Sequence, residues 1–370
     1  MSGAVRAPPR LEPRAFGDFA GFDEDDALAA FRCFEVSARA LAEARPEGRA
    51  ARPASAALRE AARAALTTRV DSPAEARAFF VRRFRPFHVL PEAGEAGFLT
   101  GYYEPAVAGS PVETADFPWP LLARPDDLAT FAPGHAPAGF PEGVTGARRL
   151  GCGAFVPYDD RETIERGRRR PIVWVGDAVE AFLIQVQGSA QVAFPDGRRA
   201  RLAYDGRNGL PYASIGRILV DAGAVGESEM SLGRLKAELR RMGLREGEAG
   251  LALMRRNRSF VFFRLVTDFD PTLGPIAGAG VPLTPLRSIA VDRALWSYGL
   301  PFWIEAELPW EGAAPTPFRR LTIAQDTGSA IVGPARADIF FGGGDAAGVR
   351  AGAIRHRGVF TVLMPVGDEP

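Results

Sequence analysis

Apolar residues fall at helical spacing over roughly the first hundred positions of this 370-residue chain. They then give way to short runs bounded by glycine, proline and aspartate. Leu28, Phe31, Val36 and Leu41 recur at close to a helical period and predict a helix over 27–44. Asp23-Glu-Asp-Asp26 precedes it, and negative charge there complements a helix N-terminus. Ser72-Pro-Ala-Glu75 has the form of a capping box with proline at the first helical position, predicting a helix to about Arg83. Residues 52–68 supply an alanine-rich helix between the two.

From Phe98 the pattern reads as strand, with clear runs at 172–175, 182–186 and 199–204 and irregular Pro/Gly-rich loops over 116–151. Helical spacing returns at 213–222, 231–242 and 246–256, and the last hundred residues are again short strands. The fold class is therefore mainly β with flanking helices in two domains. Few helices alternate with strands, which favours barrels over parallel sheets. A β-rich middle flanked by helices and then more β predicts an insertion. Residues 1–100 and 246–370 form one discontinuous domain, and 101–245 form the inserted one.

Composition narrows the classes. The 45 basic and 45 acidic residues cancel, and no like-charge run marks a nucleic-acid footprint. Lys236 is the only lysine among those basic residues. Cys33 and Cys152 are too few for a disulfide framework, though one bridge stays open. His88, His135 and His356 lack ligand spacing, so no metal and no cofactor is expected. Met1 to Arg10 holds no apolar run suited to a signal peptide, and no segment is long and apolar enough for a membrane-spanning helix. Taken alone, the chain reads as soluble and unexported.

Three aspartates carry the candidate chemistry. Asp326 lies in Ala324-Gln-Asp-Thr-Gly-Ser-Ala-Ile-Val-Gly333, Asp338 in Arg336-Ala-Asp-Ile-Phe-Phe-Gly-Gly-Gly344, and Asp292 ends Ser288-Ile-Ala-Val-Asp292. A carboxylate closing an apolar run beside glycines is placed to face a cleft, or simply makes a turn. Gly101-Tyr-Tyr-Glu-Pro105 offers Tyr102 and Tyr103, with Glu104, either as sugar-stacking rings or as interior tyrosines at a strand end. Phe182-Leu-Ile-Gln-Val-Gln-Gly-Ser-Ala-Gln191, read as a strand, puts Gln185, Gln187 and Ser189 on one face while Phe182, Ile184 and Val186 pack inward. Gly188 there permits close backbone approach. In the turn-rich Tyr204-Asp-Gly-Arg-Asn-Gly-Leu-Pro-Tyr212, the residues Tyr204, Asp205, Asn208 and Tyr212 extend a saccharide-binding wall or stabilise the turns.

These pieces, followed by Asn257-Arg-Ser-Phe-Val-Phe-Phe263, occur in an order that resembles the lytic transglycosylase A family of peptidoglycan-cleaving enzymes from about residue 20 onward. The resemblance implies a double-psi β-barrel carrying a three-aspartate domain, an inserted second barrel, and glycan strands in a groove between them. It implies an exotransglycosylase, a lyase that cuts the β-1,4 bond between N-acetylmuramic acid and N-acetylglucosamine without water and leaves a 1,6-anhydro ring. Asp338 matches the family's catalytic aspartate, and Asp326 matches the family's Asp-x-Gly-Gly-Ala-Ile motif with Ser329 in place of the second glycine. The implied partner is the peptidoglycan glycan strand, the implied state a monomer, and the implied location the periplasm in association with the outer membrane. That location conflicts with the absence of a visible leader.

Two other readings compete. Asp326-Thr-Gly-Ser329 also spells an aspartic-peptidase motif, but such sites need two carboxylates sharing a proton and no second motif is present. A non-catalytic glycan-binding protein would keep the same groove. Gly342-Gly-Gly-Asp345 lacks the Lys-Ser/Thr of a phosphate loop.

Overall fold

The computed structural model describes residues 8–45, 47–92, 96–131, 135–167 and 170–369. Along the chain come β1 (Arg10–Pro13), α1 (Ala27–Ala42), α2 (Ala56–Thr67), α3 (Pro73–Arg83), β2 (Phe84–Leu90) and β3 (Phe98–Glu104). All three helices start on a side-chain cap: Asp26 accepts the Ala29 N–H, Ser55 that of Leu58, and Ser72 that of Glu75. The capping box at Ser72 and Glu75 is present as read from the sequence. Phe31 and Phe34 of α1 meet Phe79 and Phe80 of α3 edge-on or tilted, the closest ring centroids being 5.0 Å apart. This aromatic knot fixes α3 on α1 just ahead of β2.

The next stretch holds β4 (Ala106–Ala108), β5 (Trp119–Leu122), β6 (Leu128–Thr130), β7 (Gly146–Arg149), β8 (Phe155–Pro157), α4 (Arg161–Arg166) and β9 (Pro171–Val175). It continues through α5 (Ala178–Gln187), β10 (Ser189–Ala193), β11 (Arg199–Arg207), α6 (Ile215–Asp221), α7 (Leu232–Arg241), α8 (Ala249–Arg255) and β12 (Val261–Val266). The return is β13 (Ser288–Val291), β14 (Pro301–Leu308), β15 (Thr316–Asp326), β16 (Arg336–Gly343), α9 (Gly344–Gly352), β17 (Arg355–Arg357) and β18 (Val359–Pro365). Strand outweighs helix among the described residues, in keeping with the expected class.

The chain divides into two compact units, one of residues 104–271 with 343–349 and one of 8–103, 272–342 and 350–369. The second unit is built on a nine-stranded sheet in the order β1-β2-β18-β14-β15-β13-β16-β3-β17. In the first, a four-stranded sheet runs β12-β11-β10-β4 and covers a core that includes Val192, Leu202 and Phe263. The insertion read from the sequence ended at 245, whereas 246–271 belong to the inserted unit. The reason is physical: α8 buries Leu251, Leu253 and Met254 in the same core as Val179 and Phe182 of α5, and β12 pairs antiparallel with β11.

One element was misread. Residues 182–186 are not a strand but the second half of α5. Asp177 caps the helix by accepting the Glu180 N–H at 2.8 Å, and Gly188 closes it in the left-handed region at φ 86°. The alternation of Phe182, Ile184 and Val186 misled because Leu183 and Gln185 between them are buried too, while Val186 is exposed. Helix α9, rich in glycine, was also absent from the sequence reading.

Candidate active site

The two key carboxylates are set by sheet register. Strand β13 lies between β15, which it pairs in parallel, and β16, which it pairs antiparallel. Ala290 is the register partner of both Asp326 and Asp338. Neighbouring strands are about 4.8 Å apart, so the two aspartates stand roughly 10 Å apart at Cα across one small residue. A bulge between Ile289 and Ala290 is what achieves this, since regular pairing would put Gln325 opposite Ala290. Gln325 is instead fully buried, where its Nε2 donates to the Cys33 carbonyl at 3.0 Å and to Ser37 Oγ at 2.8 Å. These bonds tie the bulge to α1. Asp326 closes β15 as anticipated, but Asp338 lies inside β16, the third residue of that strand.

Alternate residues of β3 serve the two carboxylates. Thr100 donates from Oγ1 to Asp338 Oδ1 at 2.7 Å, and Tyr102 donates from its hydroxyl to Asp326 Oδ2 at 3.1 Å. The Gly278 N–H supplies Asp326 Oδ1 at 2.9 Å. Arg336, two residues before Asp338 on β16, donates from Nη2 to Thr100 Oγ1 at 2.8 Å. Burial pushes the half-buried Asp338 carboxyl above the usual aspartate value and the Asp326 charge adds to this, against the opposing pull of Arg336 and Thr100. Burial, together with the charges of Asp326 and Asp338, holds the Tyr102 hydroxyl well above its ordinary value, so it stays a donor. Tyr102 packs on Phe340, ring centroids 5.3 Å apart, in a cluster with Ala290, Leu283 and Ile331. Tyr102 and Tyr103 are both buried, Tyr102 as a hydrogen-bond donor to Asp326.

Asp292 has a different part. It is buried just after β13, its Oδ1 accepting the Ala294 N–H at 3.0 Å and its Oδ2 the Gly333 N–H at 2.8 Å. Its carboxylate thus pins the turn after β13 to the segment that leads into β16.

The remaining candidates lie in the inserted unit. Glu104 is buried against Arg201, with Nε 2.8 Å from Oε1 and Nη2 donating to Oε2 at 3.0 Å, and it also accepts from Gln191 at 3.0 Å. Burial raises its carboxyl against the pull of Gln191 and Arg201. Asn208 is fully buried: its amide donates to the carbonyls of Asp159 and Arg258 and accepts from the Phe260 N–H at 2.9 Å. Its polar atoms are therefore engaged in joining loops. Gln185 is buried in α5, Gln187 ends that helix, Gly188 caps it and buried Ser189 opens β10, so the expected shared strand face does not exist. Tyr204, Asp205 and Tyr212 are half-buried, with Asp205 3.9 Å from Arg264. Thr100, Arg336 and Gly278 were missed; the first two sit two residues from Tyr102 and Asp338, so strand periodicity could have found them.

Two family models match the chain: the MltA specific insert domain over residues 98–264 and the 3D domain over 287–364, the latter containing all three aspartates. The crystal structure of the membrane-bound lytic murein transglycosylase from Agrobacterium tumefaciens is 33% identical, superimposes with a TM-score of 0.85, and the match covers 96% of this chain and 98% of that one. The chain belongs to the lytic murein transglycosylase A family. Among curated family members, that of Vibrio cholerae is 34% identical over 200 residues, which is 52% of this chain and 51% of the relative. The Escherichia coli K12 member is 30% identical over 273 residues, 72% of this chain and 65% of the relative. The matches thus span between half and two thirds of these two relatives' length. Both carry the description membrane-bound, while among the described residues no helix is long and apolar enough to cross a membrane.

Proposed function

We propose that the protein is a peptidoglycan lytic transglycosylase in which Asp338 acts first as acid and then as base. The supporting observation is the pair across Ala290: a carboxyl whose proton affinity is raised, beside a second carboxylate held by Tyr102 and Gly278. Protonated Asp338 donates to the glycosidic oxygen as the bond from C1 of N-acetylmuramic acid breaks, releasing the N-acetylglucosamine hydroxyl. The resulting carboxylate takes the proton of the C6 hydroxyl, and O6 bonds to C1. One bond breaks, one forms, the proton returns to Asp338 and no water is consumed. Asp326, an acceptor from two donors, contributes a charge that adds to burial in raising the Asp338 proton affinity and favours the positive charge developing at C1. No second carboxylate is needed to activate water, unlike in a hydrolase. Asp292 holds the turn and takes no part in proton transfer.

The peptidase reading loses support because both Asp326 oxygens are engaged by Tyr102 and Gly278 rather than by a second carboxyl. All three aspartates come from one chain, which supports action as a monomer. Family membership supports placement in the periplasm at the outer membrane, where the substrate lies. The test is mass spectrometry of the products from purified sacculi. Muropeptides one water lighter than hydrolysed ones are expected. Hydrolysed ends, or sacculi that bind the protein and stay insoluble, would overturn the proposal.

A further inference from the structure

A second site adjoins the aspartates within the same unit. Strand β17, at the outer end of the sheet order, pairs with β3 so that Arg357 lies opposite Phe98. The Arg336 guanidinium stands 5.3 Å from the Phe98 ring centroid. An exposed aromatic ring is thus flanked by two arginines. Phe98, Arg336 and Arg357 line a hollow of about 430 Å³ together with Glu92, Val332 and Pro334. A second hollow of about 350 Å³ shares Pro91, Ala96, Ala335 and Arg357 with the first and adds His88 and Glu305. Each falls in the size range of a small-ligand site. Arg357 sits where the two meet, exposed, and among the described residues its side chain has no hydrogen bond or ion pair. Arg336 connects the first hollow to the proposed acid through Thr100, at 2.8 and 2.7 Å.

We propose that these joined hollows hold the peptide stem of the muramoyl residue undergoing cleavage, with a stem carboxylate on Arg357 beside Arg336. This rests on the cleavage reading above. The stem hangs from the lactyl group of the same sugar whose C1 is attacked, so a hollow joined to Asp338 by one threonine lies within the stem's reach. Guanidinium groups are the natural partners of a carboxylate. Phe98 gives an apolar platform for alanyl methyl groups, and the acidic, exposed Glu92 suits the free amine of the stem's third residue.

The test compares kcat/KM on glycan strands carrying stems, carrying amidated stems, and stripped of stems by an amidase. Wild type is expected to favour carboxylate-bearing stems by about tenfold over the other two, the scale of one charge-assisted hydrogen bond. Arg357→Ala should bring that ratio to near one, while Arg82→Ala, exposed on α3, should keep it. A ratio unchanged in Arg357→Ala, or no preference in wild type, would overturn the proposal. Equal turnover of amidated and free stems would overturn the carboxylate contact in particular. If wild type cleaves none of the strands, the cleavage reading fails. Calorimetric binding of a soluble muramoyl tripeptide to wild type and to Arg357→Ala then decides the pocket independently, with loss of binding expected in the variant and equal binding counting against the site.

Discussion

A carboxyl whose proton affinity is raised by burial costs the fold stability once it ionises, and Asp338 is such a group. Its folded proton affinity is raised, so the native state binds more protons than the unfolded chain between the ordinary aspartate pKa of about 3.9 and the folded value. Stability from this group is fully present below that ordinary value and is lost as pH rises through the folded one. Asp338→Asn should therefore abolish turnover, by at least the roughly 10²–10⁴-fold typical of a lost general acid, and yet melt at a higher temperature near neutral pH. The gain in Tm should vanish in acid, where aspartate is neutral in both states. Turnover above about a tenth of wild type would remove Asp338 from the acid role. The neighbours act on it with opposite signs. Asp326 raises its proton affinity and Thr100 lowers it. Asp326→Asn should move the alkaline limb of the kcat/KM profile to lower pH, and Thr100→Ala should move it to higher pH. Limbs shifting in the same direction would show that the two residues act only through structure.

At the scale of elements, the site depends on a close approach that a side chain would spoil. A Cβ on Gly278 would lie 2.5 Å from the Tyr298 hydroxyl oxygen and 3.2 Å from Asp326 Oδ1. Something must then shift, and any shift of the loop carries with it the Gly278 N–H that Asp326 accepts. Gly278→Ala should cut activity more than it cuts stability. The Tyr298 hydroxyl is buried with no partner among the described residues, so Tyr298→Phe alone should be close to neutral. In the Gly278→Ala background it should restore part of the activity by removing the clashing oxygen. Additive effects in this double-mutant cycle would show that the two positions do not meet. The same scale explains the misreading of α5. Its end signals, Asp177 and Gly188, stand in the sequence but were not read as such, and a mostly buried helix with few polar positions carries no clear period that separates it from a strand. The helices α1 to α3 were legible because each has one exposed face and an explicit cap.

For the molecule as a whole, the order of motifs gave the family and singled out the two aspartates as candidates, yet it could not give what surrounds them. Periodicity places Arg336 on the Asp338 face and Thr100 on the Tyr102 face, but that Thr100 meets both Asp338 and Arg336, more than two hundred positions away, is information that one sequence does not display. Glu104 and Asn208 looked like sugar contacts because polar residues beside turns do, and only tertiary structure shows them buried and engaged. The unit that holds the aspartates is assembled from segments far apart in sequence, and Asp25 with Arg287 joins them. Arg287 donates from both Nη atoms to the Asp25 carboxylate at 2.8 Å, and the Leu321 N–H meets the same carboxylate at 3.0 Å. Both side chains are buried, so removing one leaves the other an uncompensated charge, at a cost of about 3–5 kcal/mol. Arg287→Ala should therefore loosen α1, β13 and β15 together although they lie far apart in the chain. Hydrogen exchange followed by mass spectrometry should show faster exchange in all three, while α5, β10 and β11 of the inserted unit, with a core of their own, keep their protection. Loss of protection spread equally over both units would mean that they unfold as one cooperative body. Loss confined to the few residues around Arg287 would mean that the ion pair is a local fastening and that the sheet register is held by its apolar face alone.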